Sequence, residues 1–254
     1  MNKTPLSAVI LAHNEEKNIV RCISSLQWCS EIVVIDDCST DQTSVLAQQN
    51  GARVVTQKFL HDFALQRNFA LSQTKNQWVL FVDSDEEISD VLRKEIEHLF
   101  SSPKIVRYNG FTILRKDYQF GKMLIHGETG NMRLLRLGRK SAGLWKRAIH
   151  EYWDIKGEIG TLKNPLFHYP HQTISEFLSE LNTYTTINAQ VFWKEGYRAS
   201  FFSILSYPIG KFFSGYFWKQ GFRDGMPGLL LALFMSFHSF LTRSKLYFLQ
   251  IKSA

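Results

Sequence analysis

The first half of the chain alternates short apolar runs with stretches whose apolar residues recur at helical spacing. Short apolar runs rich in β-branched residues are typical of buried strands, whereas a repeat of about 3.6 residues is typical of amphipathic helices. The predicted strands are Leu6–Ala12, Ile32–Ile35, Arg53–Thr56 and Trp78–Val82. The predicted helices between them are Ile19–Trp28, Thr40–Gln49 and Phe63–Ser72. Strands that alternate with helices predict an α/β fold with a doubly wound, mostly parallel central sheet.

Polar residues directly follow three of these strands: His13-Asn14-Glu15, Asp36-Asp37 and Asp83-Ser84-Asp85. Ligands of doubly wound sheets bind outside the carboxyl ends of the strands, so three polar strand ends predict a site there. Asp83 and Asp85 are two positions apart and can point the same way. Two such carboxylates suit Mg²⁺ or Mn²⁺ that also holds substrate phosphates. A strand that leads into a helix N-terminus, where the dipole favours acids, explains the same pair without a metal.

The sequence argues against two classes of nucleotide-binding protein, the dinucleotide-binding fold and the P-loop proteins. Ala12-His13-Asn14-Glu15-Glu16 contains no glycine, so the close approach of backbone to pyrophosphate in a dinucleotide-binding fold has no support. A P-loop pattern is also missing from the chain. A metal ion that bridges diphosphate oxygens is the remaining way to hold a nucleotide.

Several motifs together resemble the inverting family 2 glycosyltransferases, which have a GT-A fold. The N-terminal motifs that carry this resemblance are A-H-N-E-E, I-V-V-I-D-D-C-S-T-D-Q-T and F-V-D-S-D. Further along, A-L-Q-R-N-F-A, N-M-R-L-L-R, I-H-E and H-Y look like the bacterial subgroup that builds lipopolysaccharide core. Members of that subgroup are typified by enzymes that add a β-linked glucose to a heptose of the inner core. The resemblance covers nearly the whole chain.

The resemblance implies a UDP-sugar donor and a divalent metal. Asp37, with Asp36 beside it, would accept a hydrogen bond from the uracil N3–H, which is a donor. A capped loop before a helix, with Ser39 or Thr40 as the N-cap, is an alternative interpretation of that segment. The residues implied to bind the nucleotide sugar are Ala12, Asn14, Glu15, Asp36, Asp37, Gln66, Arg67, Asp83 and Ser84. Asp85 would ligate Mn²⁺ or Mg²⁺ directly, with Asp83 near the ribose and the metal. Arg67 would reach the diphosphate or the base, because guanidinium pairs well with phosphate oxygens, unless it is a solvated charge on a helix.

An inverting transfer also needs a general base that takes the proton from the acceptor hydroxyl. With the resemblance, we predict that Glu151 is this base, and Asp154 is the rival. His150, Arg133 and Trp145 are predicted to bind the acceptor. His168 would complete the metal shell or, alternatively, would be a hydrogen-bonded core histidine.

Beyond about residue 175 the chain becomes aromatic, apolar and basic. A long helix is predicted over 174–195 and an apolar helix over 229–241, and the segment between them is rich in phenylalanine. The uninterrupted apolar run is shorter than the roughly 20 residues that span a bilayer. Aromatic and apolar faces with Lys and Arg match an interfacial membrane helix, and packing on the catalytic domain or in a homo-oligomer is the alternative. We predict a GT-A domain over 1–172, with a donor half to 102 and an acceptor half over 103–172, and a helical region over 173–254.

The composition and net charge indicate which classes of binding partner fit the chain. The chain has 254 residues, a net charge of +7 and a pI of about 9.3, which fits an anionic membrane or a phosphorylated substrate. The basic residues are dispersed and no nucleic-acid motif is present, so a nucleic-acid partner is disfavoured. Three cysteines without C-x-x-C spacing and no signal peptide indicate a cytoplasmic protein, peripheral on the inner face of the bacterial inner membrane.

The function predicted from the sequence is therefore a metal-dependent glycosyltransferase that moves a sugar, with UDP-glucose as the favoured donor, onto a lipid-linked inner-core heptose. A polyprenyl-phosphate sugar transferase would use the same donor site. A nucleotidyltransferase is disfavoured because the chain lacks a glycine-rich, basic N-terminal loop. A module that binds nucleotide and membrane without turnover is the non-enzymatic alternative.

Overall fold

The apolar runs of the first half form strands of a mixed sheet in a computed structural model that describes residues 3–58, 62–130, 132–147, 151–170 and 173–253. The chain divides into two compact units, residues 1–115 with 133–168 and residues 116–132 with 169–254. The division into domains over 1–172 and 173–254 stays a prediction.

Strands dominate the first unit and helices the second. The strands are β1 (Thr4–Ala12), β2 (Cys29–Asp36), β3 (Arg53–Thr56), β4 (Trp78–Asp83), β5 (Glu86–Ile88), β6 (Gly110–Gln119), β7 (Lys122–Leu124), β8 (Arg133–Arg139), β9 (Gly143–Lys146), β10 (Tyr152–Ile155) and β11 (Ile159–His168). The α-helices are α1 (Ile19–Ser24), α2 (Thr43–Gln49), α3 (Phe63–Gln73), α4 (Asp90–Ser101), α5 (Ile174–Lys194), α6 (Phe201–Phe213) and α7 (Met226–Ser253).

The strand order of the main sheet brings the predicted site together. Among the described residues this order is β3-β2-β1-β4-β8-β6-β11-β5, and β9 with β10 forms a separate hairpin. The first four strands are parallel, and β8 then runs antiparallel to β4. In the register of β1, Ala12 pairs with Asp36 of β2 and Leu11 pairs with Asp83 of β4. The three polar strand ends therefore lie side by side at one edge of the sheet.

Helices cover both faces of the parallel half, which confirms the predicted α/β class. Ala8 and Ile10 of β1 belong to the core under α1, α2 and α4. Val9 and Leu11 belong to the core under α3 and the β9–β10 hairpin. Because β1 is buried on both faces, its sequence is a continuous apolar run rather than an alternating one.

Two predicted helix boundaries in this unit are wrong. The helix predicted over Ile19–Trp28 ends at Ser24, and a turn that still buries Leu26 follows it. The helix predicted from Thr40 begins at Thr43, because the backbone N–H of Thr40 donates to Asn14 Oδ1 at 2.8 Å and holds this residue in a loop. Neither predicted N-cap is used there, since Gln42 is the residue that precedes α2.

The second unit is built on α7, against which α5 and α6 pack. A π-helical turn (Ser214–Trp218) and a 3₁₀ turn (Gly221–Asp224) connect α6 to α7. The apolar helix predicted over 229–241 is longer at both ends. It begins at Met226, because Pro227 is tolerated in the first turn, where no backbone N–H is needed, and it ends at Ser253. The short strand β7 pairs antiparallel with the end of β6. Among the described residues, no helix combines the length and the apolar character that crossing a membrane requires.

Candidate active site

Asp83, at the end of β4, accepts hydrogen bonds from two arginines on different elements. Arg67 of α3 donates from Nη2 to Oδ1 at 2.9 Å, and Arg136 of β8 donates to both carboxylate oxygens. Both guanidinium groups are buried, whereas the Asp83 side chain is 30% exposed. Burial by itself would raise the pKa of Asp83, but the charges of Arg136 and Arg67 hold it well below its usual range. Asp83 is therefore an ionised carboxylate held in one orientation at the sheet edge.

Glu86 is a second carboxylate of this cluster and is fully buried. Its Oε2 accepts the backbone N–H of Asp83 at 2.9 Å, and its Oε1 lies 3.4 Å from Arg136 Nη2. Burial raises the pKa of Glu86, and the negative charge of Asp83 adds to this effect. Arg136 thus contacts both carboxyl groups, and Glu86 fixes the backbone where β4 turns into β5.

Arg67 connects this cluster to Glu151, the predicted base. Its Nε donates to Glu151 Oε1 at 3.0 Å while its Nη2 holds Asp83. The guanidinium lies 4.7 Å above the ring of Trp145, which in turn stacks on Trp153. One buried cation therefore joins the carboxylate at the end of β4 to the carboxylate that precedes β10.

The backbone of Trp145 is held by a side chain of α3. Both polar atoms of the Asn68 side-chain amide are used: Asn68 Nδ2 donates to the Trp145 carbonyl, and Asn68 Oδ1 accepts the Trp145 N–H, each at 2.9 Å. The Trp145 side chain is 5% exposed and has Phe81 at its edge. In this arrangement Trp145 supports the Arg67 guanidinium and does not offer an open ring face to a sugar, in contrast to the predicted acceptor contact.

The two turns predicted to bind the nucleotide are bonded to each other. Asn14, with a φ of +55°, donates its backbone N–H to Ser39 Oγ and accepts from Thr40 N–H. The Glu15 N–H donates to Thr43 Oγ1 at 2.7 Å. These bonds form a single surface from the ends of β1 and β2, and asparagine tolerates the left-handed conformation that this surface needs.

The acids at the end of β2 lie on this surface at different depths. Asp36 is buried and accepts the Ser39 N–H at 3.2 Å, whereas Asp37 is partly exposed and bonded through its backbone to Ala12. Ala12 is itself buried. Asp37 is therefore the acid of this pair that has the more accessible side chain.

Asp85 and His168 form the next pair along the edge. His168 Nε2 lies 3.1 Å from Asp85 Oδ2, and the two side chains are 13% and 23% exposed respectively. Burial would raise the pKa of Asp85, but the neighbouring His168 lowers it below its usual value. Among the residues for which the structure gives positions, no group of three or more His, Cys, Asp or Glu side chains is arranged to hold a metal. A carboxylate and an imidazole are the kind of donors that Mn²⁺ accepts when substrate phosphates complete its shell.

The remaining predicted residues lie in several environments. Ser84 and Gln66 are buried. Ser84 and Asp85 form the turn between β4 and β5, so the extended backbone on which the sequence prediction for Asp83 and Asp85 was based ends at Asp83. Arg133, at the start of β8, donates from Nη1 to the Leu162 carbonyl at 3.0 Å. His150 lies outside the described residues.

Asp154, the rival base, belongs to a different group of charges. It is bonded to Lys146 at 2.6 Å and to Lys156 at 3.4 Å in the β9–β10 hairpin. The Lys146 and Lys156 hydrogen bonds lower the pKa of Asp154, which makes it a weaker proton acceptor. Glu151 is thus the acid that shares a cation with the β4 end.

Arg136, Glu86 and Asn68 are not among the residues predicted from the sequence. Arg136 is buried in the apolar stretch of β8, where an unpaired charge would be costly, and a charged residue inside a strand pattern is a signal of a buried partner. Glu86 follows Asp85 directly and has the sequence context of an ordinary acid at a turn.

Comparison with known proteins identifies the family. The family model described as glycosyl transferase family 2 matches residues 7–152. The chain belongs to glycosyl transferase family 2. It is 31% identical to the lipopolysaccharide core biosynthesis glycosyltransferase LpsC of Rhizobium meliloti, over 96% of this chain and 93% of that protein. It is also 29% identical to an uncharacterized glycosyltransferase of Rickettsia conorii, over the full length of this chain and 94% of that protein.

The mostly parallel sheet, covered by helices on both faces, agrees with the α/β fold that the resemblance to family 2 glycosyltransferases implied. Among solved structures, glucosyl-3-phosphoglycerate synthase from Mycobacterium tuberculosis in complex with phosphoglyceric acid matches with a TM-score of 0.47 and 16% identity, over 77% of this chain and 81% of that one. Staphylococcus aureus TarS matches with a TM-score of 0.47 and 18% identity, over 72% of this chain and 39% of that one. The predicted enzyme class is confirmed: the chain is a glycosyltransferase.

Proposed function

We propose that this glycosyltransferase moves glucose from UDP-glucose, with inversion, onto a heptose of a lipopolysaccharide or lipooligosaccharide inner-core acceptor. The similarity to LpsC over almost the whole chain supports a role in lipopolysaccharide core synthesis. The observation that carries the proposal is the bridge in which Arg67 joins Asp83 to Glu151. It brings a donor-side carboxylate and a candidate base to the two sides of a single guanidinium.

The turns after β1 and β2 would hold the uridine. Asp37 would accept the uracil N3–H, with Asp36, Asn14 and Glu15 shaping the surface around it. Two guanidinium nitrogens of the cluster, Arg67 Nη1 and Arg136 Nε, are buried without a hydrogen-bond partner among the described residues. A diphosphate oxygen would satisfy such donors, because guanidinium and phosphate form strong charge-assisted bonds.

The donor set at the β4 end fits a divalent cation. Asp85, with His168 and Asp83 near it, would hold Mn²⁺ or Mg²⁺, which would stabilise the charge of the departing nucleoside diphosphate.

Glu151 would act on the acceptor. It takes the proton from the attacking hydroxyl as that oxygen bonds to the anomeric carbon and the bond from this carbon to the diphosphate breaks. The single displacement inverts the anomeric centre. Arg67 contacts both Glu151 and Asp83, so a diphosphate that draws on Arg67 would also loosen its hold on Glu151. The acceptor would be lipid-linked, and the enzyme would work on the cytoplasmic face of the inner membrane.

The test is UDP release from a panel of UDP-sugars with Mn²⁺ and a heptose-containing core acceptor, in wild type, Glu151→Gln and Asp154→Asn. We expect acceptor-stimulated release with UDP-glucose, a decrease of about 10²- to 10⁴-fold in Glu151→Gln, and near wild-type rates in the matched control Asp154→Asn. UDP binding by calorimetry should persist in both variants.

Three results would contradict the proposal. Loss of activity in Asp154→Asn with retention in Glu151→Gln would reassign the base. Full activity of Glu151→Gln with a polyprenyl phosphate, an acceptor that is already ionised and needs no base, would favour the polyprenyl-phosphate transferase. UDP binding without turnover of any acceptor would favour a binding module.

A further inference from the structure

Helix α6 and the π-helical turn after it carry an exposed apolar stripe. Its members are Phe202, Leu205, Ile209, Phe213 and Phe217, each between 49% and 78% exposed. Their spacing of three or four residues places them on one face of a helix. A soluble protein rarely leaves such a continuous row of large apolar side chains in water, so the stripe indicates a partner.

The opposite side of α6 is already covered within the second unit. Pro208 is buried, and its carbonyl accepts a hydrogen bond from Ser236 of α7 at 2.8 Å. The guanidinium of Arg243, also on α7, lies 3.8 Å from the centre of the Tyr207 ring. The stripe is therefore the face that remains after α6 has packed on α7.

More aromatic surface continues past the end of the stripe. Trp218 is 87% exposed, and Phe222 in the 3₁₀ turn and Met226 at the start of α7 are also exposed. Tryptophan and phenylalanine beside exposed cations are typical of helices that lie in the interface of a bilayer. Lys219 and Arg223, between Trp218 and Met226, are exposed cations.

The charge of this region identifies the kind of partner. From residue 197 to the end of the sequence the only acidic residue is Asp224. Asp224 is buried and accepts hydrogen bonds from the backbone N–H groups of Ile125 and His126. The acidic Glu128 of the same unit is paired with Lys211 and Lys219, so it does not reverse the positive charge.

We propose that the stripe is the surface by which the protein lies on an anionic lipid membrane, with the apolar side chains at the acyl boundary and the cations at the head groups. A second copy of the chain is the less favourable occupant, because a two-fold contact would bring two positively charged surfaces together. The inference rests on the proposed function in one respect: the lipid-linked acceptor of that function would lie in the same membrane.

The test is co-sedimentation of the full chain with phosphatidylglycerol-containing vesicles and with phosphatidylcholine vesicles. We expect binding to the anionic vesicles that weakens with added salt. The double variant Phe213→Ser and Phe217→Ser should bind about 10- to 100-fold more weakly. A matched control, Val91→Ser and Val106→Ser, removes two exposed apolar side chains of the first unit and should bind as wild type.

Fluorescence gives a second measurement that does not depend on an aromatic-to-serine change. We expect a blue shift of tryptophan emission when anionic vesicles are added, and a smaller shift in Trp218→Phe. Wild-type vesicle binding by the double variant would overturn the proposal. So would a concentration-dependent dimer that the double variant dissolves in the absence of any vesicle binding.

Vesicle binding requires no turnover, so the two proposals can fail separately. Binding with no glycosyl transfer would retain the membrane surface and overturn the proposed function. Transfer to a soluble core acceptor without vesicle binding would do the reverse.

Discussion

Replacement of Arg67 by methionine tests the connection between the donor-side carboxylate and the candidate base. Methionine keeps an unbranched apolar chain against Trp145 but removes the donors to Asp83 and Glu151. We expect a lower free energy of unfolding, because two carboxylates lose a shared, buried cation. We also expect weaker UDP binding, because the diphosphate loses a guanidinium donor.

The magnitude follows from the two bonds. A hydrogen bond to a charged group contributes about 1.5–3 kcal/mol. Asp83 keeps Arg136, and the Asp83 and Glu151 side chains are 30% and 18% exposed, so water replaces part of each bond and the lower end applies. The loss is then about 3 kcal/mol in all, which lowers the midpoint of thermal unfolding by about 6–12 °C in a chain of this size.

The assay is thermal unfolding of wild type, Arg67→Met, Glu151→Gln and the double variant, followed by circular dichroism and repeated with UDP. Because the two residues share one bond, the cycle should give a coupling energy of about 0.5 kcal/mol or more. Arg67→Lys should fall between wild type and Arg67→Met, since one ammonium cannot reproduce the guanidinium fork. A midpoint for Arg67→Met within about 2 °C of wild type, together with additive effects in the cycle, would refute the bridge.

Three further predictions concern the same unit. Asp85→Asn should remove most of the thermal stabilisation that Mn²⁺ gives in the presence of UDP, as measured by differential scanning fluorimetry, and an unchanged Mn²⁺ effect would exclude Asp85 as a ligand. The pKa of Asp83 is lowered in the folded state, so its stabilising contribution is complete above the unfolded value of about 3.9 and is lost as the pH falls below it. Urea unfolding between pH 7 and pH 3 should therefore show a shallower acid loss in Asp83→Asn, and equal slopes would contradict this sign. Phe81→Ala, in the fully buried centre of β4 beside Trp145 and Trp153, should cost about 3–5 kcal/mol in urea unfolding, and a cost below about 1 kcal/mol would show that the site collapses.

Local pattern was sufficient for the strands of the donor half and for the place where they end. The run from Trp78 is apolar because β4 is buried on both faces, and it ends at Asp83, after which Ser84 and Asp85 form a turn. Parallel strands bring their carboxyl ends to one edge, so the meeting of the ends of β1, β2 and β4 follows from the order of elements along the chain. The strands and the position of the site could therefore be predicted from local pattern and from the order of the elements along the chain.

Side-chain contacts between strands that are distant in the chain could not be predicted in this way. Arg136 reaches Asp83 because β8 is antiparallel to β4 and Leu137 pairs with Leu80, and nothing local in the sequence specifies that register. Thr40 is kept out of α2 by Asn14, a residue from the preceding strand end. Helix propensity depends on the local sequence and does not include a hydrogen bond to a residue that is distant in the chain.

Consecutive residues alone specify the alternation of strands and helices, the acidic strand ends and the positive, aromatic C-terminal region, because each is a property of a short stretch of chain. Which charges meet depends instead on the tertiary structure. Trp145 has the sequence context of a sugar-binding ring, yet Asn68 holds its backbone and Arg67 covers its indole. The physical reason is burial. The Arg67 side chain is 3% exposed, so its charge is stable only beside carboxylates, and the sheet register determines where those carboxylates lie.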